Sequence, residues 1–280
     1  MVANMKRIFA LYGISAKLDL LWFLRDTKNC VLNIMADLVS SLSTILAMFL
    51  LSQRFDSIGG MSSDHILFML GFACLLDGLN LMFFTMNNVG YISRIIGRGQ
   101  LDHKLIQPNP IWMQLLTDGF IPFSGSSTFL CGIGLIAFSS IKLNLNLNIL
   151  DIGFLIFYLI CSVIIIFSFS YIFSCIAFYA PVAGEEVSTA AVGLLDNLKG
   201  FPLGGIPYQL QIIFTTILPI GMTAWYPANL LLGNKLNFTN YLLIIVTLSL
   251  LLIATILFRK GLKHYATKGS IRYADRGHRR

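Results

Sequence analysis

Charge is what this sequence has least of. Asp, Glu, Lys and Arg make up 12% of its 280 residues, about half the share typical of globular chains. So few charges cannot cover a water-exposed surface of this size. With 56% hydrophobic residues and a mean hydropathy of +0.76, most of the surface has to face lipid. The five cysteines, Cys30, Cys74, Cys131, Cys161 and Cys175, sit in or beside apolar runs with no C-x-x-C pair, which argues against a disulfide framework or a thiolate metal site. The four histidines, His65, His103, His264 and His278, form no ligand cluster, so no metal site is expected. No G-x-x-x-x-G-K-[ST] loop is present either. Gly97-Arg98-Gly99-Gln100 and Ser57-Ile58-Gly59-Gly60 lack its lysine, and any nucleotide energy has to come from another chain. A cleavable signal is also unexpected, because Lys17, Asp19, Arg25 and Asp26 interrupt the leading residues.

What is abundant is apolar length. Windows long enough to cross a bilayer run from Cys30 to Ser52, Ile66 to Asn87, Ile111 to Ile141, Leu150 to Tyr179, Tyr208 to Leu232 and Tyr241 to Phe258. They predict an all-α polytopic membrane protein with six transmembrane helices, organised as a leading segment 1–28, a membrane domain 29–260 and a basic tail 261–280. All but three of the 20 basic residues, Arg54, Lys142 and Lys235, lie in segments 1–29, 88–110, 180–207 and 259–280. Basic residues are retained on the cytoplasmic side, which puts the N- and C-termini there. The net charge of +7 then serves topology and attraction to an anionic inner leaflet. Nucleic acid is not an expected partner, because the basic residues flank spans and lack an aromatic platform.

Residues 180–207 leave two readings open. Glu185, Glu186, Asp196 and Lys199 suit a cytoplasmic loop, or the stretch is itself a polar-lined fifth helix followed by a re-entrant hairpin over 207–232 on the outer side. Pro207, Pro219 and Pro227 favour broken helices in that hairpin region. At the other end of the chain, Ile8, Leu11, Tyr12, Ile14, Leu18, Leu21 and Trp22 fall on one side of a helix with Lys6 and Lys17 roughly opposite. This predicts an interfacial helix on the inner leaflet, although Asp19 interrupts the apolar stripe.

Enzyme readings fail on missing partners. Glu185-Glu186 could open a glutamate-type intramembrane protease signature, but Ala190 stands where that signature has arginine, and every histidine lies outside the spans. Ser124-Gly125-Ser126-Ser127 has no histidine or lysine base within a span. The intramembrane polar residues are more informative, since an ionisable group at mid-bilayer is costly and normally faces protein or water. Asp37 shares a helical face with Asn33, Ser40, Ser41 and Thr44. Asp77 and Asn80 make a shorter stripe on the second span, and both aspartates lie roughly 12 to 15 Å from the cytoplasmic ends of their helices. The stripes either line a path or subunit interface for a polar or cationic solute, or hydrogen-bond neighbouring helices to fix packing. Asp118 reads as a packing or cap residue.

Three segments carry a resemblance. The inner loop Arg98-Gly99-Gln100-Leu101-Asp102-His103-Lys104-Leu105-Ile106-Gln107-Pro108, the pair Ile217-Leu218-Pro219 and Trp225-Tyr226-Pro227-Ala228, and the ending Arg259-Lys260-Gly261-Leu262-Lys263-His264-Tyr265 through Gly269 resemble the membrane subunit of type-2 ATP-binding-cassette (ABC) exporters, in the drug-efflux-like branch. The resemblance implies a dimer with a second permease chain, identical or paralogous. It also implies two copies of a cytoplasmic ABC ATPase that bind Mg-ATP, with no cofactor on this chain. Coupling to that ATPase is expected through the loop 88–110, at Arg94, Arg98, Gly99, Leu101, Asp102, His103 and Lys104, with Leu101, Leu105 and Ile106 as an apolar anchor. Pathway candidates are Asn33, Asp37, Ser40, Ser41, Thr44, Asp77 and Asn80, because the first, second and fifth spans of such permeases approach their interface. The expected setting is a cell membrane, the inner membrane of a bacterium. The rival expectation is an ion-coupled secondary transporter that uses Asp37 and Asp77 as ion sites.

Overall fold

Inside a bilayer an apolar segment has only its own backbone to satisfy its amides, so a chain of this composition is confined to helices. The computed structural model describes residues 2–54, 57–84, 92–145, 148–233 and 241–269, apart from the side chains of 2–4 and 51–52, and the regular elements among them are helical. The basic tail from residue 270 and the start of the inner loop, 85–91, lie outside the described residues. Thirteen α-helices follow in order among the described residues: α1 Val2–Arg25, α2 Thr27–Arg54, α3 Ser63–Phe84, α4 Ile92–Gly97, α5 Leu101–Leu105, α6 Ile111–Thr117, α7 Ser126–Lys142, α8 Ile149–Ser174, α9 Pro181–Leu198, α10 Tyr208–Thr216, α11 Ile220–Thr223, α12 Trp225–Leu231 and α13 Leu242–Lys268. Four described helices, α2, α3, α8 with its 3-10 extension to Phe178, and α13, are long and apolar enough to cross a membrane. The protein is a polytopic helical membrane protein.

Two sequence windows fold differently from one continuous helix each. Window 111–141 is divided into α6 and α7. Gly119 is left-handed at φ +86°, and Pro122 supplies no amide for a helix to use. Asp19 of α1 completes the break by accepting hydrogen bonds from the amide of Phe123 at 2.8 Å, the amide of Ser124 at 3.2 Å and the Ser124 hydroxyl. The residue that interrupted the apolar stripe of α1 is therefore its buried anchor, and Tyr12 adds a hydrogen bond to the Leu116 carbonyl at 3.1 Å.

Window 208–232 is likewise three short helices rather than one crossing, turned at Leu218-Pro219 and Ala224. Pro227 falls in the first turn of α12, where a missing amide costs nothing. Residues 181–198, polar enough to pass for a loop, instead form α9, opened by Pro181 at its first position. At 1.5 Å per residue α9 is about 27 Å long. Its start lies beside Gly97, where a Cβ would meet the Pro181 carbonyl oxygen at 3.1 Å. The turn beyond its end packs on Gly59, whose Cβ would stand 3.0 Å from the Pro202 carbonyl. Since Gly59 precedes α3 and Gly97 follows it, α9 and its following turn reach from one end of α3 to the other.

The core sits on α3, with 67% of its apolar window buried inside the protein against 6% for α2. Helix α3 lies on α7 at contact distances that only glycine permits. A Cβ on Gly78 would overlap the backbone of Phe129, and one on Gly132 would stand 2.5 Å from the Leu75 amide nitrogen. The α10–α12 segment closes one end of this core with Met222, Trp225, Tyr226 and Ala228. At the other end a smaller cluster joins Ile92, Ile95, Ile96 and Leu101 to Phe178 and Tyr265.

Candidate functional site

Helix α2 leans against the protein along a polar edge, and what it faces is a cleft. Asp37, Ser40 and Ser41 of α2 line a cavity of about 540 Å³ together with Asp77 and Asn80 of α3. Thr128 of α7, Thr189 and Asp196 of α9, Lys199 just beyond α9 and Arg94 of α4 complete its polar wall, while Leu81, Phe84, Ile166 and Val192 make the apolar one. Ser40, Ser41, Asp77, Asp196 and Lys199 also border a second cavity of about 590 Å³, which adds Ser43 and Thr44. The structure thus brings together most of the two polar stripes. Asn33 is exposed and lines neither space, and Thr44 borders only the second.

Lys199 borders both cavities. Its ammonium donates to Asp77 and, at 2.9 Å, to Asp196 Oδ1. The lysine side chain is 10% exposed, Asp77 34% and Asp196 48%. A lysine taken this far from water has to be paired, and its place at the carboxyl end of α9 adds the favourable helix dipole. Sequence reasoning did not assign Lys199 to the pathway. The available signal was its isolation: it is the only basic residue between Lys142 and Lys235. Asp37, in contrast, has no hydrogen bond or ion pair to any described residue.

The expected coupling segment is tied to the same helix. Arg94 Nε lies 2.9 Å and Arg98 Nη2 3.0 Å from Glu185 Oε1, so one carboxylate in the second turn of α9 clamps both arginines. Between them and α5 the chain reverses at Gly99, whose φ of +73° favours glycine. Lys104 pairs with Asp118, and Gln114 Nε2 donates to the carbonyls of Lys104 at 2.8 Å and Asn109 at 2.7 Å. Leu101 is fully buried, so it holds the segment in place and is not exposed to anchor a partner. The outward face consists of Asp102, His103, Leu105 and Ile106, the last 81% exposed. Glu185 and Lys199 are separated by about 21 Å along the helix, so a single element joins the loop to the cleft.

Two serines of the Ser124-Gly125-Ser126-Ser127 motif have structural partners, whereas the buried Ser127 hydroxyl has none among the described residues. Ser124 serves Asp19, and Ser126 donates to the Phe123 carbonyl at 3.0 Å. No group of three His, Cys, Asp or Glu that could hold a metal occurs among the described residues.

A protein-family model described as ABC-2 family transporter protein matches residues 38–269. Searches of curated proteins and of solved structures give no match.

Proposed function

The chain belongs to the ABC-2 transporter family, a family of membrane components without catalytic activity of their own, and from that premise we propose that it is the permease subunit of an exporter driven by a separate ATPase. In this reading α2, α3, α7, α8, α9 and α13 make six crossings, both termini are cytoplasmic, α1 rests on the inner leaflet, and α10–α12 form a re-entrant hairpin on the outer side. Two permease chains, identical or paralogous, enclose the pathway, and two cytoplasmic ABC ATPase subunits bind Mg-ATP beneath them. The setting is a bacterial inner membrane.

The observation that carries the proposal is the continuity of α9. Its Glu185 clamps Arg94 and Arg98 of the expected coupling segment, and its far end places Lys199 between Asp77 and Asp196 in the cleft. Closure of the partner ATPases pushes on Asp102, His103, Leu105 and Ile106. The clamp carries that displacement to α9 as a rigid body, and the Lys199 contacts with α3 change on one side of the pathway. This chain forms and breaks no covalent bond.

Purification of the tagged chain from its native membranes in mild detergent, with mass spectrometry of bound proteins, tests the reading. A stoichiometric soluble protein bearing a phosphate-binding loop is the expected result, and a second membrane chain beside it would identify a heterodimer. Repeated recovery of this chain alone would overturn the ATPase-driven reading in favour of an ion-coupled carrier using Asp37 and Asp77.

A further inference from the structure

The cleft walls are not balanced in charge. Lys199 serves Asp77 and Asp196, and Arg94, which also lines the cavity, is held by Glu185 at 2.9 Å. Asp37 is left as a cavity-lining carboxylate with no hydrogen bond or ion pair among the described residues. It stands about 15 Å into α2 from Thr27, where an uncompensated charge is expensive and usually serves a function. A second observation points into the same space. Thr128 is 2% exposed and lines the cavity, and its hydroxyl has no hydrogen-bond partner. Phe84, Ile166 and Val192 supply an apolar wall beside these two polar groups.

We infer that this cavity binds an amphipathic organic ammonium ion, with its charge on Asp37, an N–H or hydroxyl group at Thr128 and its apolar body against Phe84 and Ile166. The size suits it, since about 540 Å³ falls within the range of small-molecule pockets. Phe84 offers a ring face that can also attract the cation. A small inorganic cation fits less well. It is best held by several converging carboxylate ligands, and no group of three His, Cys, Asp or Glu placed to hold a metal occurs among the described residues. An anion would meet Asp37 directly. Because three aspartates, Asp37, Asp77 and Asp196, line the cavity against two cations, Arg94 and Lys199, a single positive charge is the natural complement. The inference deepens the permease reading by naming its substrate class, but binding at this site needs no ATPase.

Equilibrium binding to the full chain in lipid nanodiscs without ATPase tests it, with two fluorescent probes that share one body. Monodansylcadaverine carries a primary ammonium, and its N-acetyl derivative is neutral. Loss of one favourable charge contact is expected to weaken the acetylated probe about tenfold or more on the native chain. Asp37→Asn should level the two probes and Asp37→Glu should restore the preference. Thr128→Val should weaken the ammonium probe about threefold. Equal binding of both probes to the native chain, no binding of either, or a preference that survives Asp37→Asn would each overturn the assignment. Unchanged probe binding combined with loss of a permease dimer in Asp37→Asn would likewise overturn it, giving the carboxylate to a subunit contact. Should Asp37→Asn fail to insert, the probe comparison on the native chain and on Thr128→Val decides. Failure to recover an ATPase from native membranes would sink the driven-exporter reading and leave this binding result standing, so the two failures are distinguishable.

Discussion

Helix α3 has two faces, and they are built by opposite rules. Toward α7 it is closed: Gly78 and Gly132 bring the backbones together until no Cβ fits, Gly71 leaves only tight room for one, and the contact is sealed by apolar side chains. Toward α2 and α9 it is open. Asp77 and Asn80 face a cleft whose other walls are the serines of α2 and the Lys199 pair. In lipid, tails are as apolar as leucine, so helices associate through close packing and polar contacts and gain little from apolar burial itself. The glycine face uses the first device and the charged face the second. A packed face fixes one arrangement, whereas a face held by ion pairs across a cavity can exchange partners, as a transport pathway requires.

Overfilling each face is the most forceful way to break the comparison. Gly78→Leu should destabilise the protein by about 3 kcal/mol or more, because the Phe129 backbone cannot retreat. Ser40→Leu places the same side chain at the rim of the cleft and should stay within about 0.5 kcal/mol. Thermal unfolding of the two variants in the same detergent reads the contrast. A Gly78→Leu chain that melts like the native one would remove the distinction between the faces.

The next effect lies in the charged face itself. Lys199→Met leaves Asp77 and Asp196 without their cation, and partial exposure of both carboxylates limits the loss to about 1 to 2 kcal/mol. Adding Asp77→Leu should recover most of that stability, because an apolar pair replaces a buried ion pair well, but transport should not return. Recovery of both stability and transport in the double variant would make the pair a packing device only. Smaller still is Glu185→Gln. Arg94 and Arg98 are 39% and 49% exposed, so the clamp contributes less than about 1 kcal/mol. The change should nonetheless uncouple ATP hydrolysis from export in reconstituted vesicles. Equal export per ATP in the variant would remove α9 from the coupling route.

These contacts also separate what the sequence made legible from what it hid. Long apolar runs revealed α2, α3, α8 and α13, because lipid imposes a minimum helix length that a window can read. The prolines around Pro219 announced the broken helices over 208–232. The stripe from Asp37 to Thr44 could be read from helical periodicity, since all its residues share one element. Helix α9 was left undecided, because glutamates and an aspartate in a crossing look like a loop until their partners are known. Those partners are remote: Lys199 meets Asp77 across 122 positions, and Arg98 meets Glu185 across 87. Asp19 likewise looked like a flaw in an amphipathic stripe, because its role depends on amides more than a hundred residues away. Periodicity reports what a residue shares with its own helix and is silent about what another helix brings to it.

The smallest expected effect on the fold sharpens the comparison at the surface. Ile106 is 81% exposed and Leu105 46%, at the end of a short helix whose other residues are pinned by buried Leu101 and by the Lys104 contacts. Nothing within the described chain requires an isoleucine there, so Ile106→Ser should change stability by no more than about 0.5 kcal/mol. A protein partner would feel the change differently, because an apolar side chain at the centre of a docking face can carry a large part of the binding energy. The expected outcome is an unaltered melting temperature together with ATPase recovery reduced about tenfold or more. The same assay on Leu101→Ser should give the reverse order, with stability lost first, because Leu101 is buried among Ile92, Ile95 and Ile96. If Ile106→Ser retained the ATPase as well as the native chain does, the docking face would have to be sought away from α5, and the clamp at Glu185 would then be a fold contact.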